Sequence, residues 1–300
     1  MTNHSTGMRI ATYFILTIGG VFMLYPLVYA FLVSLMDPYE FTTANSLFPI
    51  ASKPDFSKYV EIFKIHDVVL WFRNTILRVI WYMFWTVGTS LVLGYFFSKG
   101  TFFGKRFMFY LLLSTMMIPA VTTMVPIYVM YARWPWAGGN DIFFGGHGLL
   151  NSWGVMLLPG LVQVYSVFLV KQMYETLPND YEESARMDGA GTFRIIFQIF
   201  APMLKPVIAV ILINDFVGIW NDFMTNLIYT NSGGPNITMI SFGITKLPGY
   251  LTQQDLSNNY VLDYPTLFAA ALLATVPTVA LFLVLQKRIV QGLAMSGLKG

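Results

Sequence analysis

Of 300 residues, 56% are hydrophobic and only 11% charged, with a net charge of +3, against about 25% charged in an ordinary soluble domain. That apolar load excludes a soluble globule, and the absence of cysteine excludes disulfides, thiolate metal sites and cysteine nucleophiles. Three scattered histidines (His4, His66, His147) offer no metal cluster, and no basic tract interleaved with aromatics points to nucleic acid.

Met1 to Ile10 is a short polar tail. A first membrane span is predicted from about Ala11 to Met36, enough for the ~20 residues that cross the hydrocarbon core. Pro26 inside it is tolerable, because neighbouring helices can satisfy the freed backbone groups. The segment is too long for a signal-peptide core and no small-residue cleavage site follows, so it reads as a retained anchor. Asp37 to Leu70, with three prolines, reads as an external loop with one surface helix near Phe56 to Phe63. A second span is predicted for about Trp71 to Phe97, with Arg73 and Arg78 at its outer end, snorkelling or lining a cavity.

Lys99, Lys105 and Arg106 then make a dense positive loop. A third span covers about Phe107 to Tyr131. Its Pro119 and Pro126 lie on one face and loosen the helix for hinging, for lining a cavity, or simply for bent packing. Ala132 to Leu150 is a second external loop, whose Trp134 and Trp136 suit a sugar, a binding protein or an interfacial belt. A fourth span, about Asn151 to Tyr174, carries Pro159, Gln163, Tyr165 and Ser166.

Asp180 to Pro202 is the longest stretch that is both charged and patterned. Pro178 ends the preceding helix. Asp180 with Glu183 three residues on fits a capping box, and a helix is expected to about Asp188. Gly189 then falls at the position past the helix end where a left-handed backbone favours glycine. Thr192 can cap a second short helix, Phe193 to Phe200, which Pro202 ends. Two short helices at a glycine elbow result, kept slim by Ala185, Gly189, Ala190 and Gly191.

A fifth span covers about Met203 to Tyr229. Asp215 and Asp222, seven apart, are expected on one helix face. A carboxylate at membrane depth costs ~2.5–3.5 kcal/mol on insertion scales, so it normally faces a bundle interior or water. Two readings stand side by side: a polar stripe lining a translocation cavity, with Trp220 as a stacking surface, or groups that hydrogen-bond to other helices and hold the bundle. Asn221, Asp222, Trp220, Asp215, Gln163 and Tyr165 are the candidate pathway residues. Thr230 to Asp263 is a third external loop, and a sixth span covers about Tyr264 to Leu285. Eleven Lys and Arg lie on the side of the termini and the elbow, against seven on the other, which places both termini and the elbow in the cytoplasm. No catalytic constellation can be assembled. No glycine-rich phosphate loop is present, so any ATPase would be a separate chain.

The elbow also carries a family likeness. Glu183-Ser184-Ala185, Gly189 four positions after Ala185, then Ile199 and Pro202 resemble the EAA signature of permease subunits of bacterial ABC importers. That signature reads E-A-A, three residues, G, nine residues, I-x-L-P. Ser184 stands for the first alanine and Ala201 for the leucine. The text ESARMDGAGTFRIIF, with WFRNTILRVIW, MMIPAVTTMVPIY and LQKRIVQGLAMSGLKG elsewhere, is similar to the carbohydrate-importer branch, of the maltose-type second permease, over nearly the whole chain.

The resemblance implies an all-α membrane protein with the type I ABC importer permease fold, a single domain over 1–300 with six spans. It implies a non-catalytic sugar-import subunit in the bacterial plasma (inner) membrane. Glu183, Ser184, Ala185, Asp188, Gly189, Ala190 and Pro202 would couple it to an ATPase. The implied partners are a homologous second permease, two ATPase subunits, an extracytoplasmic solute-binding protein and membrane lipid. The chain itself would hold no cofactor, ATP and Mg being bound by the ATPase. The alternative, from the residues alone, is an ion-coupled secondary transporter using Asp215 and Asp222.

Overall fold

The computed structural model describes residues 6–43, 47–141, 143, 145–230, 234–254 and 260–297. His4, both chain ends and parts of the three external loops lie outside the described residues. Four helical runs are long and apolar enough to cross a bilayer: Ile10–Ser34, His66–Ser98, Trp153–Thr176 and Tyr264–Val284. Two sharply bent pairs bring the number to six if each is one span. These are Lys105–Thr115 with Ala120–Ala132, bent by 98°, and Thr192–Met203 with Lys205–Trp220, bent by 85°.

The expected third span is therefore not continuous, whereas the second bend falls where the expected fifth span begins, and that span is interrupted instead at residues 221–223. The third breaks before Pro119, which has extended backbone (φ −59°, ψ 132°) and starts the second arm. Proline disfavours helical backbone at the residue before it and cannot donate to the previous turn. Pro126 sits within that second arm. The fourth run loosens into a 3-10 turn at Leu158–Gly160, and Gln163 is extended before helix Val164–Thr176 begins.

Two compact units divide the chain. One comprises 1–69 and 243–277. Its first helix, Thr6–Ser34, presents Tyr13, Phe14, Phe22 and Met23 outward, a surface that hydrocarbon can solvate. Tyr25 donates its hydroxyl to the Leu47 carbonyl (2.7 Å) and Tyr29 packs edge-on to Phe268. The surface helix forms at Ser57–Glu61, followed by a 3-10 turn. Glu40 accepts bonds from the Ser52 hydroxyl (2.6 Å) and amide (2.8 Å), which hold its carboxyl below the usual value. A small antiparallel ribbon, Thr252–Gln254 with Tyr260–Leu262, pairs Thr252 with Leu262. It is an addition to the loop expected there, in a chain otherwise helical.

The second unit, 70–242 and 278–300, holds the features that matter most. Its core gathers Leu91 and Tyr95 from the 66–98 helix, Val170 and Tyr174 from the 164–176 helix, and Ile195, Ile196, Phe200 and Ile211 from further on. Gly94 makes the first contact possible. A Cβ there would lie 2.7 Å from the Val170 side chain and 3.1 Å from the Lys171 backbone nitrogen. Gly94→Val is expected to push these helices apart and cost ~1–3 kcal/mol, as overpacking does. A lowered midpoint in detergent thermal unfolding would register it, and an unchanged midpoint would contradict the packing.

Candidate functional site

Helix Asp180–Met187 opens with Asp180, Glu182 and Glu183 and carries Arg186 in its last turn, the charge order that a helix dipole favours. The expected capping box does not form. Asp180 is the first helical residue, and Asn179 before it makes no side-chain cap. The Glu182 and Glu183 amides bond to the Asn179 carbonyl instead. Asp180, already inside the helix, is past the capping position, and the Asn179 side chain is occupied by Lys99, whose ammonium donates to Asn179 Oδ1 and to the Leu177 carbonyl.

The far end closes as the sequence predicts. Gly189 has φ +78°. The Ala190 amide donates to the Ala185 carbonyl (2.9 Å) and the Gly189 amide to the Arg186 carbonyl (3.0 Å), the two bonds of a Schellman closure. The second arm is longer than expected. It begins at Thr192, winds as a π-helix over Ile195–Phe200, and continues through Pro202 to Met203. Pro202 does not end it, because the wider π turns have already interrupted the ordinary i→i−4 ladder where the missing N–H would matter.

One side of the elbow is a latch. Ala185 is 6% exposed and belongs to the core cluster with Tyr95, Tyr174 and Phe200. The Tyr95 hydroxyl donates to Glu182 Oε1 (2.6 Å). Arg186 Nη2 donates to the same carboxylate oxygen (2.8 Å) and to the Tyr95 oxygen (3.0 Å). Together with Lys99, one turn further on, this triangle fastens the elbow to the 66–98 helix.

The other side is open. Glu183, Ser184, Met187, Asp188, Gly189 and Phe193 are exposed, Ala190 is half-buried and Pro202 is exposed. Nothing would meet a Cβ at Gly189 within 4 Å. Met187 is 88% and Phe193 64% exposed, and Phe193 lies parallel to Phe197. The sequence reading passed over both. Their signal was two large apolar side chains inside the most polar stretch, the kind of exposed apolar surface that marks a protein contact.

The candidate pathway residues are less united. Helix Lys205–Trp220 ends at Trp220, Asn221 to Phe223 are not helical, and a short helix resumes at Met224–Tyr229. Asp215 and Asp222 therefore do not share a continuous helix face. Asp222 lies beyond the helix end, where its Oδ1 accepts the Thr225 amide (3.2 Å). Its Oδ2 is held by Arg78 Nη2 at 2.6 Å, with the Arg78 side chain 2% and the Asp222 side chain 20% exposed.

Arg78 does not snorkel. It also donates to the Met156 carbonyl (3.1 Å) and faces the Tyr82 ring. Nothing in the sequence marks this pair, whose members lie 144 positions apart. Trp220 is buried, with its ring flat against Phe216, and so offers no open stacking face in this conformation. Asp215 is half-buried, and its Oδ2 is enclosed without a hydrogen-bond partner. Asn221 is exposed and caps the helix through the Val217 carbonyl (2.9 Å). Tyr165 is exposed and Gln163 half-buried. No group of acids and histidines among the described residues could hold a metal ion.

A family profile described as binding-protein-dependent transport system inner membrane component matches residues 87–295. The galactooligosaccharides transport system permease protein GanQ of Bacillus subtilis (strain 168) is 28% identical, over 96% of this chain and 95% of its own length. The maltodextrin transport system permease protein MdxG of the same organism is 28% identical, over 97% and 96%. A crystal structure of a bacterial ABC transporter involved in import of the acidic polysaccharide alginate contains a chain that superposes with a TM-score of 0.75 at 21% identity, covering 96% of this chain and 99% of that one.

Proposed function

The chain belongs to the binding-protein-dependent transport system inner membrane component family, and on that premise we propose that it forms half of the translocation pathway of an ATP-driven oligosaccharide importer. It is a non-catalytic, multi-pass membrane subunit that works with an ATPase and a solute-binding protein. The cargo class follows from the names of its relatives, which carry galactooligosaccharides and maltodextrin. The whole of 1–300 acts as one permease domain of six spans, with both termini cytoplasmic, beside a homologous second permease and above two ATPase subunits. The ATPases bind ATP and Mg.

The observation that carries this reading is the two-sided elbow: latched to the 66–98 helix through Tyr95, Lys99 and Arg186, and open at Glu183, Ser184, Asp188 and Gly189. A groove on the ATPase seats the open side, with Gly189 admitting a close backbone and Glu183 meeting a basic group. Closure of the ATPase pair drags the elbow, and the latch passes the movement to the spans. Asn221, Tyr165 and Gln163 offer polar groups to the cargo, while Asp222, Trp220 and Asp215 shape the wall behind them. An ion-coupled carrier would need Asp222 free to take up and release its ion, and Arg78 holds it.

The test is co-purification in mild detergent. Wild type is expected to bring down an ATPase and a sister permease. The Glu183→Arg/Gly189→Asp double variant is expected to keep the permease and lose the ATPase. An ATPase retained by the variant, or absent from wild type, would remove the elbow from the interface.

A further inference from the structure

Beside the base of the elbow lies a cleft of about 620 Å³ that the transport reading does not use. It opens where the 66–98 helix ends and helix Lys105–Thr115 begins. Helix Val164–Thr176, which leads into the elbow, closes its other side. Lys105, Arg106 and Lys171 line it, against one carboxylate, Glu175.

The three cations are held differently. Lys105 donates to the Ser98 and Gly100 carbonyls, both at 2.8 Å, and so is fixed at the mouth. Lys171 lies over the Phe109 ring at 4.7 Å and pairs with Glu175 at 2.8 Å. Arg106 is exposed and has no acidic partner among the described residues. The rest of the wall is aromatic, from Phe97, Phe102, Phe109 and Tyr110. Phe103 and Phe107 stand exposed on the same turn and helix.

Cations under-matched by acids, set among aromatics at the turn between two candidate spans, describe the level of lipid headgroups. Aromatic side chains concentrate there, and basic pockets between membrane helices take anionic headgroups. We propose that this cleft binds the phosphate of an acidic phospholipid, with the acyl chains lying along the exposed apolar face of helix Lys105–Thr115. Arg106 and Lys105 meet the phosphate, and the aromatic wall meets the glycerol backbone. Because Lys171 and Glu175 lie in the last two turns of the helix that leads into the elbow, an occupied cleft braces the root of the latch.

The test counts retained lipid by native mass spectrometry on the full chain, purified with whatever subunits accompany it. Phosphatidylglycerol and phosphatidylcholine are offered at equal concentration. Wild type is expected to retain phosphatidylglycerol at least ~tenfold over phosphatidylcholine. Arg106→Gln, which breaks no hydrogen bond or ion pair among the described residues, lowers that preference about fivefold, and Arg106→Gln/Lys105→Gln removes it. Arg133→Gln, at an exposed cation in the second external loop, leaves it intact. Three results would each overturn the proposal: equal retention of the two lipids by wild type, undiminished preference in the double variant, or displacement of the lipid by inorganic phosphate at the same concentration. The last would mark a free-phosphate site instead.

Discussion

Gly189→Asp is expected to leave the protein in the membrane at wild-type level while uptake falls to background. Two effects act together. The backbone there has φ +78°, a conformation that costs an L-residue ~1–2 kcal/mol. That alone weakens the Schellman closure without unfolding the chain, because residue 189 is itself exposed and outside the core cluster. The larger effect is outside: the new side chain projects into space that is empty in this chain and that the ATPase backbone would fill. A side chain forced into the centre of an interface costs ~2 kcal/mol or more, roughly a thirtyfold loss of affinity. Immunoblots of membranes set beside radiolabelled oligosaccharide uptake would measure both halves. Normal uptake would end the docking account.

The second large effect is expected at Arg78→Met. The substitution strands the Asp222 carboxylate, which has its shortest bond to Arg78, and removes the link to the Met156 carbonyl. Breaking a buried pair from one side costs ~3–5 kcal/mol. The lower end applies, because the Asp222 side chain keeps 20% exposure. Arg78→Met/Asp222→Asn should recover most of the loss, since the amide removes the charge and keeps an acceptor for the Thr225 amide. Thermal unfolding of the two variants in one detergent decides it. A double variant as unstable as the single one would mean that the charge pair is not what Arg78 supplies.

The elbow was legible because its signals are local. A glycine past a helix end and a polar run between apolar ones each act within a few residues, and the structure has Gly189 left-handed where they place it; Ala185, expected to face a docking partner, is instead buried in this chain's own core. The spans were legible as apolar lengths and the break before Pro119 as a proline effect, but the interruption at residues 221–223 was not. Nothing in a run as apolar as 203–229 says that helix stops at Trp220. What the sequence did not disclose is Arg78, a side chain from another span that holds Asp222 just past the helix end. The capping box failed by one position: Asp180 is the first helical residue and not the cap, and the side chain of Asn179, which precedes the helix, is taken by a lysine eighty positions earlier. Local chemistry thus placed the glycine turn and the proline break before Pro119, whereas the Arg78–Asp222 and Lys99–Asn179 contacts, made between distant residues, lay beyond its reach.

The right-angled corner between Thr192–Met203 and Lys205–Trp220 makes the elbow a bell crank. Leu204, fully enclosed in the core cluster, is the pivot. At 1.5 Å per residue the elbow arm, part of it wound as a π-helix, is at most roughly 18 Å long and the span arm roughly 24 Å. A ~3 Å pull on the short arm, with both arms moving as one body, swings the far end of the long arm by ~4 Å. That far end is Trp220 and the non-helical residues 221–223, so under the proposed docking a tug on the elbow would arrive, turned through a right angle and magnified, at the place where the helix yields to Asn221.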